Sequence, residues 1–504
     1  MDLKCKELVL DIPWVPEPAE WPQCCIYRVP KKLRKVNKEA YTPRLIAIGP
    51  LHHCKKELME MEMQKQRYLR DFCFRTGKDH RDLASIIEGN EVKIRHCYAE
   101  TSRVCSKEYI NMVLLDAVFI IELFLKTFEK VKDDYILSKP WLSHGIKHDL
   151  LLLENQLPYF VLEDLYTSVP LGYWSGKHQI EGQQIEKNKE FLELSRNYFD
   201  CYDQQPQSEI RKEGKHLLHF TALLRRFFCS PEQEPTESQK SIDQQPQSDS
   251  DIRKEGTHLL HFTDLLRRFF CSPKQEPSES QKSIDHLYSA TKLEEAGVQF
   301  KAAKNRHLID INFEKKGCLK HCPYLNCSWL LNCLPCFKRL FFLDSMQPFL
   351  EIPPLLVADT TECVFRNVMA LEQCHYPTEA YICSYILLLD YLINTEKDVD
   401  LLVEKKVVIN QLGSDEAVAT LVNKLGHEIV ELNSCYYKLS QDLNEHYDDF
   451  WNRNMATLTT VYFRDIWRGT ATVVGIVFLF LTVWNIFIRH FVKLPQSFSR
   501  AGLN

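Results

Sequence analysis

Several features are scarce in this 504-residue chain, and each scarcity removes a class of function. No P-loop pattern occurs and no G-x-S-x-G elbow, so the phosphate cradle of an NTPase and the serine of an α/β-hydrolase are both missing. The nearest approach, Gly172-Tyr173-Trp174-Ser175-Gly176, sets its serine one place too late. His80-Arg81-Asp82-Leu83 looks like the catalytic loop of a protein kinase, but Ile87 stands where that loop needs asparagine, and no Asp-Phe-Gly follows. Basic excess is absent too: 63 Lys and Arg against 68 Asp and Glu give a net charge of −5, which argues against a nucleic-acid binder. The 19 cysteines are odd in number and lack paired spacing, which suggests reduced, packed thiols instead of a disulfide framework. Between Met1 and Trp21 the longest apolar run is Leu8-Val9-Leu10, too short for the core of a signal peptide.

Long apolar runs are also scarce, with one exception. Residues 470–488 carry no charge, and Arg468 closes one end while Arg489, His490 and Lys493 close the other. At a helical rise of roughly 1.5 Å these residues span about 28 Å, close to the hydrocarbon thickness of a bilayer. They are expected to form a transmembrane helix, with the lipid bilayer as their partner. Lacking a signal peptide, such a protein inserts only after synthesis ends, so the bulk of the chain is expected in the cytosol on a plasma membrane or endomembrane. Flanking charge does not decide the orientation, because Arg453, Arg464 and Arg468 balance Arg489, Lys493 and Arg500.

The rest of the chain reads as mainly α: a multi-helix cytosolic body at 26–466 with at most a small β-hairpin, after an N-terminal extension at 1–25 and before a short tail at 489–504. Residues 26–53 predict a short helix, with Pro30 at its first position, and then a loop. Six of the eleven residues from Arg28 to Lys38 are basic, a pattern shared by solvated helix faces, import signals and lipid-surface patches. Helical patterns follow at 55–75, 109–128 and 147–165, the last two apolar enough to form the heart of the core. Asp116 and Glu122 break the 109–128 run, so it is too short to cross a bilayer.

Residues 203–242 and 243–284 are near-copies. Each carries a helical pattern (Leu217, Phe220, Leu224, Phe227 and Phe228, then Leu259, Phe262, Leu266, Phe269 and Phe270) followed by a Ser/Pro/Gln/Glu tail of linker type. Tandem duplication is indicated, with one copy packed on the body and the other surplus. Residues 308–313 alternate as a strand does, with 349–352 as a partner. Helices are then predicted at 360–374, 378–393, 395–406 (Thr395 and Asp398 at capping-box spacing), 414–432 and 434–466.

The segments YRVPKKLR (27–34), PRLIAIGPLHH (43–53), LLLENQLPYFVLE (151–163), LEIPPLLV (350–357), RNVMALEQCHYP (366–377), LINTEKDVDLLVEKKVVIN (392–410) and LGSDEAVATLVNKL (412–425) occur in that order. With the C-terminal span after a segment containing Trp451, Tyr462 and Trp467, they resemble the plant membrane proteins grouped as domain of unknown function 247, or uncharacterised protein family 0481. The resemblance covers roughly 25–490. It implies a plant protein with a single membrane span and no established reaction; some members are associated with pollen–pistil recognition. The duplicated 203–284 segment and a Cys-rich insertion at 318–348 depart from the usual pattern.

Few constellations could carry chemistry. His144 and His148 lie at i, i+4, as metal ligands do, but Gly145 weakens the helix and no third ligand accompanies them. His216 and His219, with their counterparts His258 and His261, read as helix-surface or core-edge residues. Glu154, Glu372 and His375 could act as acid–base groups, or could hold helices together by buried hydrogen bonds. The insertion holds Cys318, Cys322, Cys327, Cys333 and Cys336. Only Cys333-x-x-Cys336 has zinc-knuckle spacing, and the readings open to it are zinc, a redox pair, palmitoylation or an apolar flap. On balance no catalytic, cofactor-binding or metal-ligating residue is assigned and no cofactor is expected. The expected function is that of a membrane-tethered, non-enzymatic plant protein that binds an unidentified protein partner, with no nucleic acid and no evident small-molecule substrate. The alternative is an enzyme of unrecognised type using Glu154, Glu372 and His375 in a helical pocket.

Overall fold

The computed structural model describes residues 17–169, 191–200, 259–271, 282–303, 306–315, 348–450, 452–454 and 466–491. The first copy at 203–242, the Cys-rich insertion apart from Pro348, and the C-terminal tail from 492 lie outside the described residues, as do His216, His219 and His258.

The fold is mainly helical, as the periodicity predicts. It is built around α4 (Ser106–Phe128), whose side chains from Tyr109 to Lys126 are almost all buried. Against it pack α2 (Glu60–Thr76), α3 (His80–His96), α6 (Tyr159–Thr167) and α7 (Phe191–Asp200). A helix apolar on every side is stable only inside such a sleeve. Its two buried carboxylates survive there because the neighbouring helix α2 supplies cations. Lys65 Nζ lies 2.6 Å from Asp116 Oδ1, and Arg75 Nε lies 2.9 Å from Glu122 Oε2.

The second half packs α10 (Thr361–His375), α11 (Tyr381–Leu392), α12 (Glu396–Glu404) and α13 (Asp415–Leu425) together. The capping box at Thr395 and Asp398 opens α12 as the spacing predicts. A helix from the second of the two similar segments, α8 (Phe262–Phe270), packs on α10. The remaining helices are α1 (Lys31–Val36), α5 (Pro140–Asp149), α9 (Ala290–Glu295), α14 (Tyr437–Asp448) and α15 (Ile466–Phe491).

The β content exceeds a single hairpin. The expected strand at 308–313 is corrected to Asn312–Glu314 (β2), which pairs antiparallel with Phe349–Ile352 (β3), Phe313 opposite Leu350, while Leu308 and Ile309 lie in a turn. On its other edge β3 also pairs in parallel with Gln299–Ala302 (β1), and Leu355–Val357 (β4) pairs in parallel with Val408–Asn410 (β5). Parallel partners are joined by long crossovers, so no local turn signal announces them.

The predicted 147–165 helix is also corrected, because α5 stops at Asp149 and α6 begins at Tyr159. Pro158 has no N–H to donate and biases Leu157 away from helical backbone. The side-chain amides of Asn155 and Gln156 then take the carbonyls an unbroken helix would have used: Asn155 Nδ2 donates to Asp149 O, and Gln156 Nε2 donates to Leu150 O and Leu152 O. Smaller differences follow the caps: Pro30 is the N-cap of α1, one place before its expected position, and α13 ends at Leu425.

Candidate functional site

The turn between α5 and α6 is the polar centre of the molecule. Glu154, Asn155 and Gln156 are each 1% exposed, and each reaches a different segment. Glu154 Oε1 accepts from Val29 N at 2.6 Å and from Arg34 Nη2, fixing the extended segment before α1 and α1 itself. Asn155 accepts from Ile48 N at 2.7 Å and donates to Ile46 O, holding the 43–53 loop. Gln156 Oε1 accepts from Phe262 N at 3.0 Å, holding the start of α8. Just before the turn, Asp149 accepts from the backbone amides of Arg44, Leu45 and Ile46. Burial nevertheless pushes its carboxyl up to about 6.

Around Glu154 the charges are arranged asymmetrically. Arg28 Nη1 lies 3.5 Å from Oε2, and His52 Nε2 lies 3.4 Å from the same oxygen without hydrogen-bond geometry. Burial raises the Glu154 carboxyl, but His52 and Arg34 more than offset it and hold the group below the ordinary glutamate range. Burial pushes the His52 imidazole down against the pull of Glu154. Glu154 is thus a fixed carboxylate bound to an arginine and a backbone amide. Neither role leaves it free to shuttle a proton.

Glu372 and His375 sit on α10, in a second cluster. Glu372 accepts from Arg267 Nε at 3.0 Å and from the amides of Ile382 and Cys383 at 3.1 and 2.8 Å, the start of α11. Arg267 donates onward to Glu379 O and stacks its guanidinium 3.9 Å from the Tyr376 ring centroid. His375 Nδ1 is 2.9 Å from Tyr27 Oη. His261, buried, has its Nδ1 beside Asp264 N at 3.4 Å, where only the lone pair fits, so Nε2 carries the proton toward Cys25 O at 3.0 Å. Burial pushes this imidazole down to about 4. Asp264 accepts from Tyr376 Oη at 2.9 Å and pairs with Arg268.

Glu154, Glu372 and His375 are therefore each committed to a partner and hold the N-terminal segment, α8 and the start of α11 in place. Sequence reasoning missed Asp149, Asn155, Gln156 and Arg267, and also Asn367, which takes Leu153 N, Ala40 O and Cys363 O. The available signal was a run of three polar residues, Glu154 to Gln156, inside an otherwise apolar stretch ending in proline. His80 lies in the exposed first turn of α3 beside its cap Asp79, far in character from a kinase catalytic loop. His148 is half-buried on α5 and is pushed down to about 4 by burial. Among the described residues His144 and His148 belong to no group of three metal-donor side chains, whereas His53, Cys54 and Glu108 do.

A family model described as plant protein of unknown function, DUF247, matches residues 26–481. The chain belongs to this family. Two similar proteins of Arabidopsis thaliana carry the UPF0481 name. One is 26% identical over 481 residues, covering 93% of this chain and 86% of the relative. The other is 25% identical over 510 residues, covering 95% and 92%. No solved structure matches the chain. Within this DUF247 chain, the segments 27–34, 43–53, 151–163 and 366–377, scattered in sequence, meet at the Glu154–Gln156 turn and on α10.

Proposed function

We propose that this DUF247 protein is tethered to a membrane by Thr470–Ile488 and acts, without catalysis of its own, by binding a protein partner through its helical body on the cytosolic side. The observation that carries the reading is the state of that helix. Its 19 residues are long and apolar enough to cross a bilayer, and none of the window is buried against the rest of the protein. An uncovered apolar surface of that size is a membrane or partner surface. Two further observations support the reading. The side chains best suited to acid–base chemistry are buried or half-buried and engaged in holding the fold, which favours the recognition role over the enzyme alternative. All eleven described cysteines are free thiols, consistent with a reducing compartment.

Proximity labelling tests the proposal, comparing the intact protein with a form truncated before Gly469. The intact protein should label a plasma-membrane or endomembrane neighbourhood and a reproducible set of cytosolic proteins, and the truncated form should lose the membrane set. Equal labelling by both forms, or a substrate turned over in an activity screen and abolished by Glu372→Gln, would overturn it.

A further inference from the structure

We propose that His53, Cys54, Cys105 and Glu108 form a zinc site that fastens the 49–55 turn to the start of α4. Donor atoms of His53, Cys54 and Glu108 all lie within 4.8 Å of one another. His53 Nε2 is 3.8 Å from Glu108 Oε1, and Cys105 Sγ is 4.0 Å from Glu108 Oε2, bringing a fourth donor to the same carboxylate. Zinc bound tetrahedrally at about 2.0–2.3 Å sets its ligand atoms roughly 3.3–3.8 Å apart, so His53, Cys54 and Glu108 close on the ion by small rotations, while Cys105 Sγ swings in from outside that group of three. Two thiols with an imidazole and one carboxylate form a soft, nitrogen-containing set, which selects zinc over magnesium or calcium.

The backbone around the donors is already held. Gly49 N donates to Asp116 Oδ2 at 2.8 Å, tying the turn to the middle of α4. On the other side, Arg95 donates to Ser102 O and Val104 O, and Ser106 Oγ reaches Glu91. Cys54 has φ 65°, a left-handed conformation that is costly for a residue with a Cβ, and Cys105 caps α4. Cys54, Cys105 and Glu108 are exposed, so a metal reaches them without unfolding. Binding releases the two thiol protons to solvent and leaves the ions as thiolates on zinc.

The test uses the full chain in detergent micelles with Co2+ as a spectroscopic probe and Zn2+ as competitor. One equivalent should bind with thiolate-to-metal charge-transfer absorption. C54S or C105S should each remove about half of that absorption, and the double variant all of it. Loss of an outer partner of a metal ligand alone weakens binding by about 10–100-fold, so loss of a ligand should weaken Zn2+ by at least about tenfold. A variant with Cys318, Cys322, Cys327, Cys333 and Cys336 all changed to Ser should retain the signal. Zn2+ should raise the melting temperature of the wild type and not that of the double variant. If that variant fails to fold, Glu108→Gln takes its place. The proposal falls if the wild type binds no metal, if the double variant binds as the wild type does, or if the signal disappears with the five insertion cysteines.

Discussion

Helices α4 and α15 are the two long apolar helices among the described residues, and they have opposite fates. The first, 23 residues, disappears into a sleeve of four helices. The second, 26 residues, leaves its apolar window uncovered. What separates them is two carboxylates. Asp116 and Glu122 cannot enter a bilayer cheaply, and in a protein core they require cations, which Lys65 and Arg75 of α2 supply. Each buried carboxylate in α4 therefore specifies a neighbour, whereas α15, with no charge between Thr470 and Ile488, specifies only an apolar surrounding.

Breaking the pairing should have the largest effect. Lys65 is held above the ordinary lysine range because Asp116 and Glu62 outweigh the opposing effect of its burial. Lys65→Met strands Asp116 with only the Gly49 amide and should cost about 3–5 kcal/mol in denaturant unfolding. Adding Asp116→Asn, which keeps the acceptor and removes the charge, should recover at least half of the loss. Phe119→Ala, at 0% exposure in the same helix, should cost about as much, about 3–5 kcal/mol, through its cavity. Additive losses in the Lys65/Asp116 pair would show that the charges do not act as a unit.

Acid should separate the body from α15 next. Burial pushes His261, His148 and His446 down to about 4 in the folded chain, against about 6.5 unfolded. Above pH 6.5 both states are neutral at these positions and nothing is lost. Below it the unfolded chain takes up protons at these three positions that the folded chain refuses, so their contribution is lost between pH 6.5 and 4, while Asp149, raised to about 6 in the folded chain, offsets part of that loss by taking up its proton first there. His261 alone accounts for on the order of 3 kcal/mol across that window. Chemical denaturation at stepped pH should show this decline, and His261→Gln should flatten it by one proton. The proposed membrane attachment through residues 470–488, which carry no titratable side chain, should not follow the same curve. If it does, the anchor and the body are coupled.

Charge placed in α15 probes the comparison from the other side. Val477→Arg should raise the cost of insertion by about 2.5–3.5 kcal/mol and shift the protein toward the soluble fraction on flotation. The unfolding midpoint of the body should stay where it was. A drop in that midpoint would mean that α15 is an unfinished part of the core.

How much of this was legible in the sequence depends on how local the cause is. Helix periods, the capping box at Thr395 and Asp398, and the apolar run at 470–488 are written in neighbouring residues, and the structure has them. The parallel strands β1 and β5 were not legible, because their partners lie 50 and 53 residues away along the chain. The polar turn was hidden for a different reason. Leu150 to Leu153 continue the helical apolar pattern of α5, and only the amides of Asn155 and Gln156, satisfied by carbonyls folded back on them, make the break stable. Glu154, Glu372 and His375 were visible as chemistry-bearing residues, but their partners Arg34, Arg267 and Tyr27 lie 120, 105 and 348 positions away. Type was readable there; partnership was not.

The smallest expected effect is the most discriminating. Phe480 is 67% exposed, and the ring contact it makes is with Trp484 one turn along the same helix, at 6.3 Å. Removing its ring leaves no cavity in a protein core, so Phe480→Ala should change body stability by no more than about 0.5 kcal/mol. In a bilayer the phenyl contributes about 0.3–0.6 kcal/mol to insertion, which leaves attachment nearly intact. The same substitution at Phe119 is expected to be several times more costly, although the two rings lie in helices of similar composition. Equal losses at both positions, measured by denaturant unfolding in the same micelles, would mean that α15 rests on protein and not on lipid. A null result at Phe480 beside a large one at Phe119 would place the boundary between core and membrane at the end of the body.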